Sequence, residues 1–216
     1  MCLYAGILPA GAGKSHQSLR DISLLSSIPN MKIYHPYNFL ETRKILKYCI
    51  GKERNNCAIR LSIGPPPASS LSLPKNYNFK PNKGSVMTKG SDGIIFSYGQ
   101  TMINQAYKAY QILLKQKIKL KLINMPCINS FDKKWLKKTI GKIKYLFFLE
   151  DHNINGGFSD LIISFMMNNK ILNNQVLQKF GPSEFPACGT PEEVLKYHKL
   201  DHISLASQIK KKLKNK

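Results

Sequence analysis

The amino-acid sequence predicts an α/β fold, with a parallel-sheet domain at the C-terminal end and an incomplete α/β unit before it. Three observations support this prediction. Strand-like segments alternate with amphipathic helical segments, a Pro-rich stretch interrupts them, and only two strand–helix units precede that stretch. We therefore expect part of a domain at residues 1–63, a Pro-rich linker at 64–84 and a complete domain at 85–216.

The first 63 residues contain two predicted helices and two predicted strands. Leu19, Ile22 and Leu25 follow the spacing of a helix with one buried face, and Asn38 is a suitable N-cap for the second helix. The predicted elements are a helix at 15–27, a strand at 31–34, a helix at 38–50 and a strand at 57–62. Two such units are too few for an ordinary α/β domain.

After the linker the alternation continues with connections that are long enough to join parallel strands. Strands are predicted at 93–99, 119–125, 144–150 and 175–181, and helices at 101–116, 132–142 and 156–169. Two short helices are expected to follow, and the lysine-rich residues 210–216 are expected to be a frayed tail.

Composition limits the possible functions. The chain has 216 residues and a net charge of +21, but only four of its 33 basic residues are Arg and the charge is spread evenly along the chain. Because Arg is the preferred residue for bidentate phosphate and guanine recognition, this composition disfavours nucleic-acid binding. No apolar stretch is long enough to span a membrane, and the N-terminus lacks the features of a signal peptide. The five cysteines form no C-x-x-C pair, which favours a reducing cytoplasm over a disulfide framework or a zinc site.

The segment LPAGAGKS at residues 8–15 resembles a phosphate-binding P-loop. Gly13, Lys14 and Ser15 fit the end of the pattern G-x-x-x-x-G-K-[ST], in which backbone amides and the Lys hold phosphates. Leu8 stands where the first Gly of that pattern belongs. A P-loop nucleotide-binding protein is therefore the weaker of the interpretations of this segment.

A longer set of motifs fits another family. The segment AGAGKSHQSLRDISLLSSIPNMKIYHP is similar to the transketolase-family stretch in which G-x-[TS]-H-Q is followed by a helix, a PN turn and a strand ending in Pro. Glu41 and Thr42 match the E-T pair of the next helix. The segments EDHNINGG and FGPSEFPACGTPEEVLKYHKLD resemble C-terminal motifs of the family, so the resemblance covers essentially the whole chain.

This resemblance implies an enzyme that depends on thiamine diphosphate and Mg²⁺. Members of the family have a diphosphate domain, a pyrimidine-binding domain and a C-terminal domain. Residues 1–63 would form the second half of the pyrimidine-binding domain, and residues 85–216 the C-terminal domain. The Glu that activates the cofactor, the aromatic residues that stack on it and the metal ligands would all lie outside this chain, so no residue is predicted to bind cofactor or metal here. An N-terminal transketolase-like subunit or a missing upstream segment would complete the site, and the family resemblance also implies a dimer.

His16 is the predicted catalytic residue. In the family, the matching histidine lies at the reacting carbon, where an imidazole can donate to a developing alkoxide and exchange protons. A helix beginning near Ser15 would place this ring at the positive end of the helix dipole.

Two departures from the family pattern concern substrate binding. Ala12 stands where many members have an Asp that contacts a substrate hydroxyl, and Ile63 stands where many have an Arg that holds the sugar phosphate. Loss of such a charged contact weakens phosphate binding. Lys14 and Arg60 are the candidate replacements for binding a sugar or sugar phosphate, although Arg60 could equally be an exposed strand residue.

The resemblance leaves three functions open. The first is transfer of a ketol unit between sugars, the second is 1-deoxyxylulose-5-phosphate synthase chemistry, and the third is a degenerate assembly subunit without catalysis.

Three neighbouring residues with acidic or basic side chains are Glu150, Asp151 and His152. We expect them to be structural and to stabilise the turn before Gly156 and Gly157.

Overall fold

The computed structural model describes residues 1–63 and 71–214 of the chain. The strands are β1 (Cys2–Leu3), β2 (Lys32–Tyr34), β3 (Cys57–Leu61), β4 (Ser85–Val86), β5 (Gly93–Ser97), β6 (Leu120–Asn124), β7 (Tyr145–Leu149) and β8 (Val176–Phe180). The α-helices are α1 (Asp21–Ser26), α2 (Phe39–Gly51), α3 (Gln100–Lys115), α4 (Lys133–Ile140), α5 (Phe158–Asn168), α6 (Pro191–Tyr197) and α7 (His202–Lys214).

These strands form two sheets. The first has the order β1-β3-β2 and is entirely parallel. The second has the order β4-β6-β5-β7-β8, in which β4 alone is antiparallel to its neighbour. The predicted α/β class, with a parallel sheet in the C-terminal region, is therefore confirmed.

Capping residues fix where several helices begin. The Asn38 side chain accepts from the backbone N–H of Glu41, so the predicted cap of α2 is present. At α6, Thr190 and Glu193 form a reciprocal capping box with Pro191 in the first turn. These local signals fix the start of each helix, and the observed start of α2 agrees with the predicted Asn38 cap.

The larger sheet is covered on both faces, as expected for parallel strands. One apolar cluster joins its strands to helices α3, α6 and α7, and a second cluster joins them to α4 and α5. Phe158, Ile162 and Met166 are fully buried in the second cluster. This arrangement creates a three-layer domain of helices, sheet and helices.

The two sheets are joined by backbone contacts of β2. The N–H of His35 donates to the Pro126 carbonyl at 2.9 Å, and the N–H of Ile128 donates to the Ile33 carbonyl at 2.8 Å. An antiparallel bridge pairs Tyr34 with Cys127 between these two hydrogen bonds. The β2 edge of the small sheet is therefore closed by the segment that follows β6.

Several predicted elements differ from the structure. The helix expected at residues 15–27 is confined to Asp21–Ser26, and the short strands β1 and β4 were not predicted. The predicted frayed tail is wrong as far as Lys214, because α7 continues to that residue and Leu213 packs against the core. Of the predicted linker, residues 64–70 lie outside the described part, and residues 71–84 form no helix or strand although Leu73 is buried.

No helix in the described ranges is long and apolar enough to cross a membrane. All five cysteines are free thiols.

Candidate active site

A short 3₁₀ turn at Gly13–His16 links β1 to α1. His16 is the last residue of the turn and is exposed, and its Nδ1 lies 2.9 Å from the Ser15 hydroxyl oxygen. The Tyr4 ring packs edge-on against the imidazole, with 5.1 Å between centroids. Nε2 of His16 has no hydrogen-bond partner among the described residues, so this nitrogen can form a hydrogen bond with a ligand.

The surroundings of His16 correct two expectations. Because α1 begins at Asp21, His16 ends a turn and does not start a helix, so the predicted effect of a helix dipole on its ring is wrong. A P-loop also needs a helix directly after its Lys and Ser, to present backbone N–H groups to phosphates. Lys14 and Ser15 lie within the short 3₁₀ turn, and the α-helix begins only at Asp21, so no such helix follows them directly.

Lys14 lies in the same turn and is exposed. Its Nζ is 4.8 Å from the centroid of the Phe185 ring, which is a cation–π contact with the loop before α6. This contact joins the turn to the C-terminal region. The predicted role of Lys14 in binding a substrate phosphate stays a prediction.

Arg60 is fully buried and paired, and not exposed as the sequence allowed. Its guanidinium donates to both carboxylate oxygens of Asp21, at 2.7 and 3.1 Å, and to Asp151 at 3.3 Å. It also donates to Nδ1 of His35 at 2.8 Å and lies 5.5 Å from the Tyr98 ring centroid. Four of its five N–H donors are used within the protein, and Arg60 has no exposed surface in this conformation, so the contacts that the structure gives it are structural. Its predicted role in binding a substrate stays a prediction.

Charge is retained within this cluster despite burial. Burial by itself would raise the pKa of Asp151, but the charge of the adjacent Arg60 and a hydrogen bond from the Tyr98 hydroxyl hold it below its ordinary value. Burial, and to a smaller extent the charge of the neighbouring Arg60, lower the pKa of His35 to about 4. His35 is therefore neutral, with Nδ1 accepting from Arg60 and Nε2 donating to the Ser62 hydroxyl at 3.2 Å.

Replacement of His35 by Gln is expected to reduce the dependence of stability on pH. The pKa of His35 is about 4 in the folded chain against an ordinary 6.5, so the unfolded chain takes up the proton first as the pH falls. The wild-type chain should therefore lose about 2–3 kcal/mol more unfolding free energy than His35→Gln between pH 7 and pH 4.5. Urea unfolding of both proteins at the two pH values measures this, with His202→Gln as control. An equal loss in both proteins contradicts the assignment.

Glu150 holds the start of α5. Its carboxylate accepts from the backbone N–H of Phe158 at 2.7 Å and of Ser159 at 3.2 Å, and also from the Ser159 hydroxyl. Burial raises the pKa of Glu150 to about 7. A Cβ atom at Gly157 would lie 2.0 Å from a Glu150 carboxylate oxygen, so glycine is required there. These contacts account for the structural role that we predict for Glu150 and its neighbours.

Sequence reasoning missed a second buried carboxylate that joins the sheets. Glu41 accepts from the Tyr37 backbone N–H at 2.7 Å and from the Asn124 amide at 3.0 Å, and the Tyr77 hydroxyl donates to it as well. Burial raises the pKa of Glu41. Asn124 belongs to β6 and Tyr77 to the predicted linker, so Glu41 connects α2 to both. In the sequence, Glu41 is marked by its place at the start of a capped helix and by the E-T pair of the family motif, but neither signal indicates its partners.

These residues do not fit the task of holding thiamine diphosphate and Mg²⁺. Glu41 and Glu150 are the fully buried glutamates, and both carboxylates already accept hydrogen bonds from the protein. Within the described ranges no group of three or more His, Cys, Asp or Glu side chains is arranged to hold a metal ion. We therefore derive no step in which this chain alone binds the cofactor.

A cleft of about 920 Å³ lies between the segment before the His16 turn and helices α3, α6 and α7. Its walls include Leu8, Ile63, Lys108 and His202. His16, Lys14 and Arg60 do not line this cleft, so the structure does not bring the predicted site residues together there.

The fold is a mixed α/β architecture with a mostly parallel sheet in its C-terminal region. Residues 82–204 match the family described as "Transketolase, C-terminal domain", and residues 1–64 match "Transketolase, pyrimidine binding domain". The first match covers more than half of the chain. The chain belongs to the transketolase family and is a transketolase-like C-terminal section.

Relatives in sequence include both kinds of enzyme in this family. A protein of Methanocaldococcus jannaschii named as a transketolase C-terminal section is 28% identical, over 98% of this chain and 65% of its own length. The 1-deoxy-D-xylulose-5-phosphate synthase of Clostridium acetobutylicum is 31% identical, over 91% of this chain and 31% of its own length. The chain thus spans about two thirds of the first relative and a third of the synthase.

Solved structures share the fold. A split-gene transketolase described as an inactive β4 tetramer superposes with a TM-score of 0.83 at 22% identity, covering 98% of this chain and 65% of that one. A transketolase of Pichia stipitis in complex with sedoheptulose-7-phosphate gives a TM-score of 0.78 at 18% identity, covering 98% and 29%. At these identities the likeness concerns the fold alone.

Proposed function

We propose that this chain contributes the His16 turn to a thiamine-diphosphate enzyme that transfers a ketol unit between sugars. The observation that carries the proposal is the exposed imidazole of His16, whose Nε2 is free among the described residues. This residue lies within the segment that matches the pyrimidine-binding family. A histidine side chain can give and take a proton at physiological pH, so it can act as a general acid or base toward the oxygen atoms of a ketose.

The turn also provides a cation for a phosphorylated substrate. Lys14 is two residues before His16 and remains exposed, whereas Arg60 is buried. The Ile63 side chain supplies no charge at the position where a phosphate contact is expected. We propose that Lys14 contacts the phosphate of a sugar phosphate, and that the substrate is a sugar or a sugar phosphate.

A further polypeptide section is proposed to complete the site. The small sheet has three strands, its β2 edge is closed by the segment after β6, and no described strand pairs with the outer edge of β1. A parallel edge strand of this kind accepts another strand. We propose that an N-terminal transketolase-like subunit or an upstream segment pairs there and brings the cofactor site, within a dimer located in the cytoplasm.

Two other functions have specific support. The synthase relatives favour 1-deoxyxylulose-5-phosphate synthase chemistry in the same assembly. Ala12, Ile63 and the burial of Arg60 favour an assembly subunit without catalysis, because each removes an expected substrate contact.

Cofactor binding separates the catalytic proposal from the non-catalytic one. We expect isothermal titration with thiamine diphosphate and Mg²⁺ to show no binding by the 216-residue chain alone. We expect saturable binding once the chain is co-expressed with the section that carries the diphosphate domain and the rest of the pyrimidine-binding domain. A stable complex that fails to bind the cofactor would support the assembly-subunit function and contradict the catalytic one.

A further inference from the structure

We propose that Gln17 and the loop at residues 184–189 position the His16 turn, so that the C-terminal domain sets the place of the imidazole. The importance of this placement for catalysis rests on the proposed function. The placement itself is a property of the fold and can be tested separately. Gln17 is a positioning residue because it touches His16 only through the backbone.

The Gln17 side chain ties together both ends of the segment that carries the turn. It is 9% exposed, and its amide nitrogen donates to the Ile7 carbonyl at 2.9 Å and to the Ala187 carbonyl at 3.0 Å. The first bond closes a loop between residues that are ten positions apart. The second bond fixes that closed loop to the C-terminal domain, so one amide group performs both tasks.

Three more contacts join the same two segments. The Cys188 thiol donates to the Gly11 carbonyl at 3.2 Å, and the Gly189 N–H donates to the Ala10 carbonyl at 3.4 Å. Lys14 lies over the Phe185 ring. Each contact is modest alone, but together they hold the segment from Ala10 to Lys14, which leads into and begins the His16 turn, against the loop at residues 184–189.

The loop that receives these contacts is itself anchored. The Ala187 N–H donates to Nε2 of His198 at 3.2 Å, and His198 directly follows α6. The capping box of Thr190 and Glu193 fixes the start of the same helix. The loop at residues 184–189 leads directly into α6 and is therefore fixed to that helix at its base, and the His16 turn is held against this loop.

Placement of this kind affects rate more than binding. A displacement of a catalytic group by about 1 Å can reduce turnover by about a hundredfold, because the reacting atoms no longer align. Loss of the Gln17 bridge should loosen the turn locally, since the sheets and the Arg60 cluster do not depend on it. We therefore expect a local change in dynamics and a lower turnover with a preserved fold.

Gln17→Met tests the geometry in the 216-residue chain, because methionine is similar in length and lacks the amide. We expect hydrogen exchange at the Gly13 amide to become at least about tenfold faster. We also expect the NMR chemical shifts of the His16 ring protons to change, because the Tyr4 ring that packs against them would move away. Gln208→Met is the matched control, since the Gln208 side chain makes one exposed contact, with the Lys199 carbonyl, and none with the His16 turn or the loop at residues 184–189. Phe185→Ala, at a side chain that is 70% exposed, is the second variant and should accelerate exchange in the same residues without a risk to folding.

Unchanged exchange at Gly13 and unchanged His16 resonances in both variants overturn the positioning proposal. In the complete enzyme, Gln17→Met should reduce kcat about ten- to a hundredfold with little change in KM, and should have no further effect when combined with His16→Ala. If Gln17→Met and His16→Ala reduce kcat independently, so that their fold-losses multiply in the double variant, Gln17 does not act through His16. That result would also overturn the proposal. If His16→Ala leaves turnover intact, the proposed function fails, while the exchange data still decide whether Gln17 positions the turn.

Discussion

Arg60→Met is expected to lower the free energy of unfolding by about 3–5 kcal/mol. The substitution keeps a long apolar side chain but removes a guanidinium that is paired with Asp21 at 2.7 Å and with Asp151 at 3.3 Å. Asp151 is almost completely buried, so its carboxylate would lose its main compensation in a region that water does not reach. The cluster also joins β3 to α1 and to the end of β7, which links the two sheets.

Urea unfolding of the wild-type chain and the variant at pH 7 measures this loss. Arg54→Met is the matched control, because Arg54 is exposed and a surface ion of this kind contributes about 0–1 kcal/mol. Adding Asp151→Asn to Arg60→Met should recover part of the lost stability, since the second change removes the unpaired charge. A loss below about 1 kcal/mol for Arg60→Met would contradict the structural role that we assign to this residue.

His16→Ala is expected to reduce kcat of the complete enzyme by about 10²–10⁴-fold, which is the usual contribution of general acid–base catalysis. Because the imidazole is exposed and makes few contacts, the substitution should leave the fold unchanged. The loss should appear in kcat with KM little affected, since the ring is proposed to exchange a proton and not to hold the substrate.

Turnover of a ketose donor with an aldose acceptor, at saturating thiamine diphosphate and Mg²⁺, is the measurement for this prediction. His202→Ala serves as the control histidine, because its ring contacts Gln105 and makes no hydrogen bond to the His16 turn among the described residues. Full activity of His16→Ala in an assembly that still needs the cofactor would mean that another group moves the proton.

Local sequence patterns predicted most of the fold. Alternating and 3.6-residue periodicities place the strands and helices of the larger domain that were predicted with bounds within two residues of their observed ends. The Asn38 cap marks the start of α2 because capping depends on residues only three positions apart. The two-residue strands β1 and β4 carry too short a pattern to be recognised from sequence.

Long-range pairing explains what the sequence did not show. The carboxylates that neutralise Arg60 are 39 and 91 positions away, so no local pattern indicates that this residue is buried. The same reason applies to Glu41, whose partner Asn124 is 83 positions away. The helix expected from Ser15 was placed too early because the apolar spacing begins at Leu19, and the preceding turn follows tertiary contacts with the 184–189 loop instead.

Within the candidate site, the sequence indicated His16 through the family motif but not how it is held. Gln17 is the second half of the same motif, and its two hydrogen bonds explain why an amide is useful next to the histidine. Lys14 was predicted for its charge, whereas its contact with Phe185 depends on residues that are distant in sequence.

The most direct test of the account is turnover by the assembled protein. The chain is combined with the section that carries the diphosphate domain and the remaining part of the pyrimidine-binding domain, and ketol transfer is followed with and without thiamine diphosphate. We predict turnover that requires both polypeptide sections and the cofactor, and that falls by at least about a hundredfold with His16→Ala. A stable assembly that shows no cofactor-dependent transfer, or transfer that is indifferent to His16→Ala, would contradict the account.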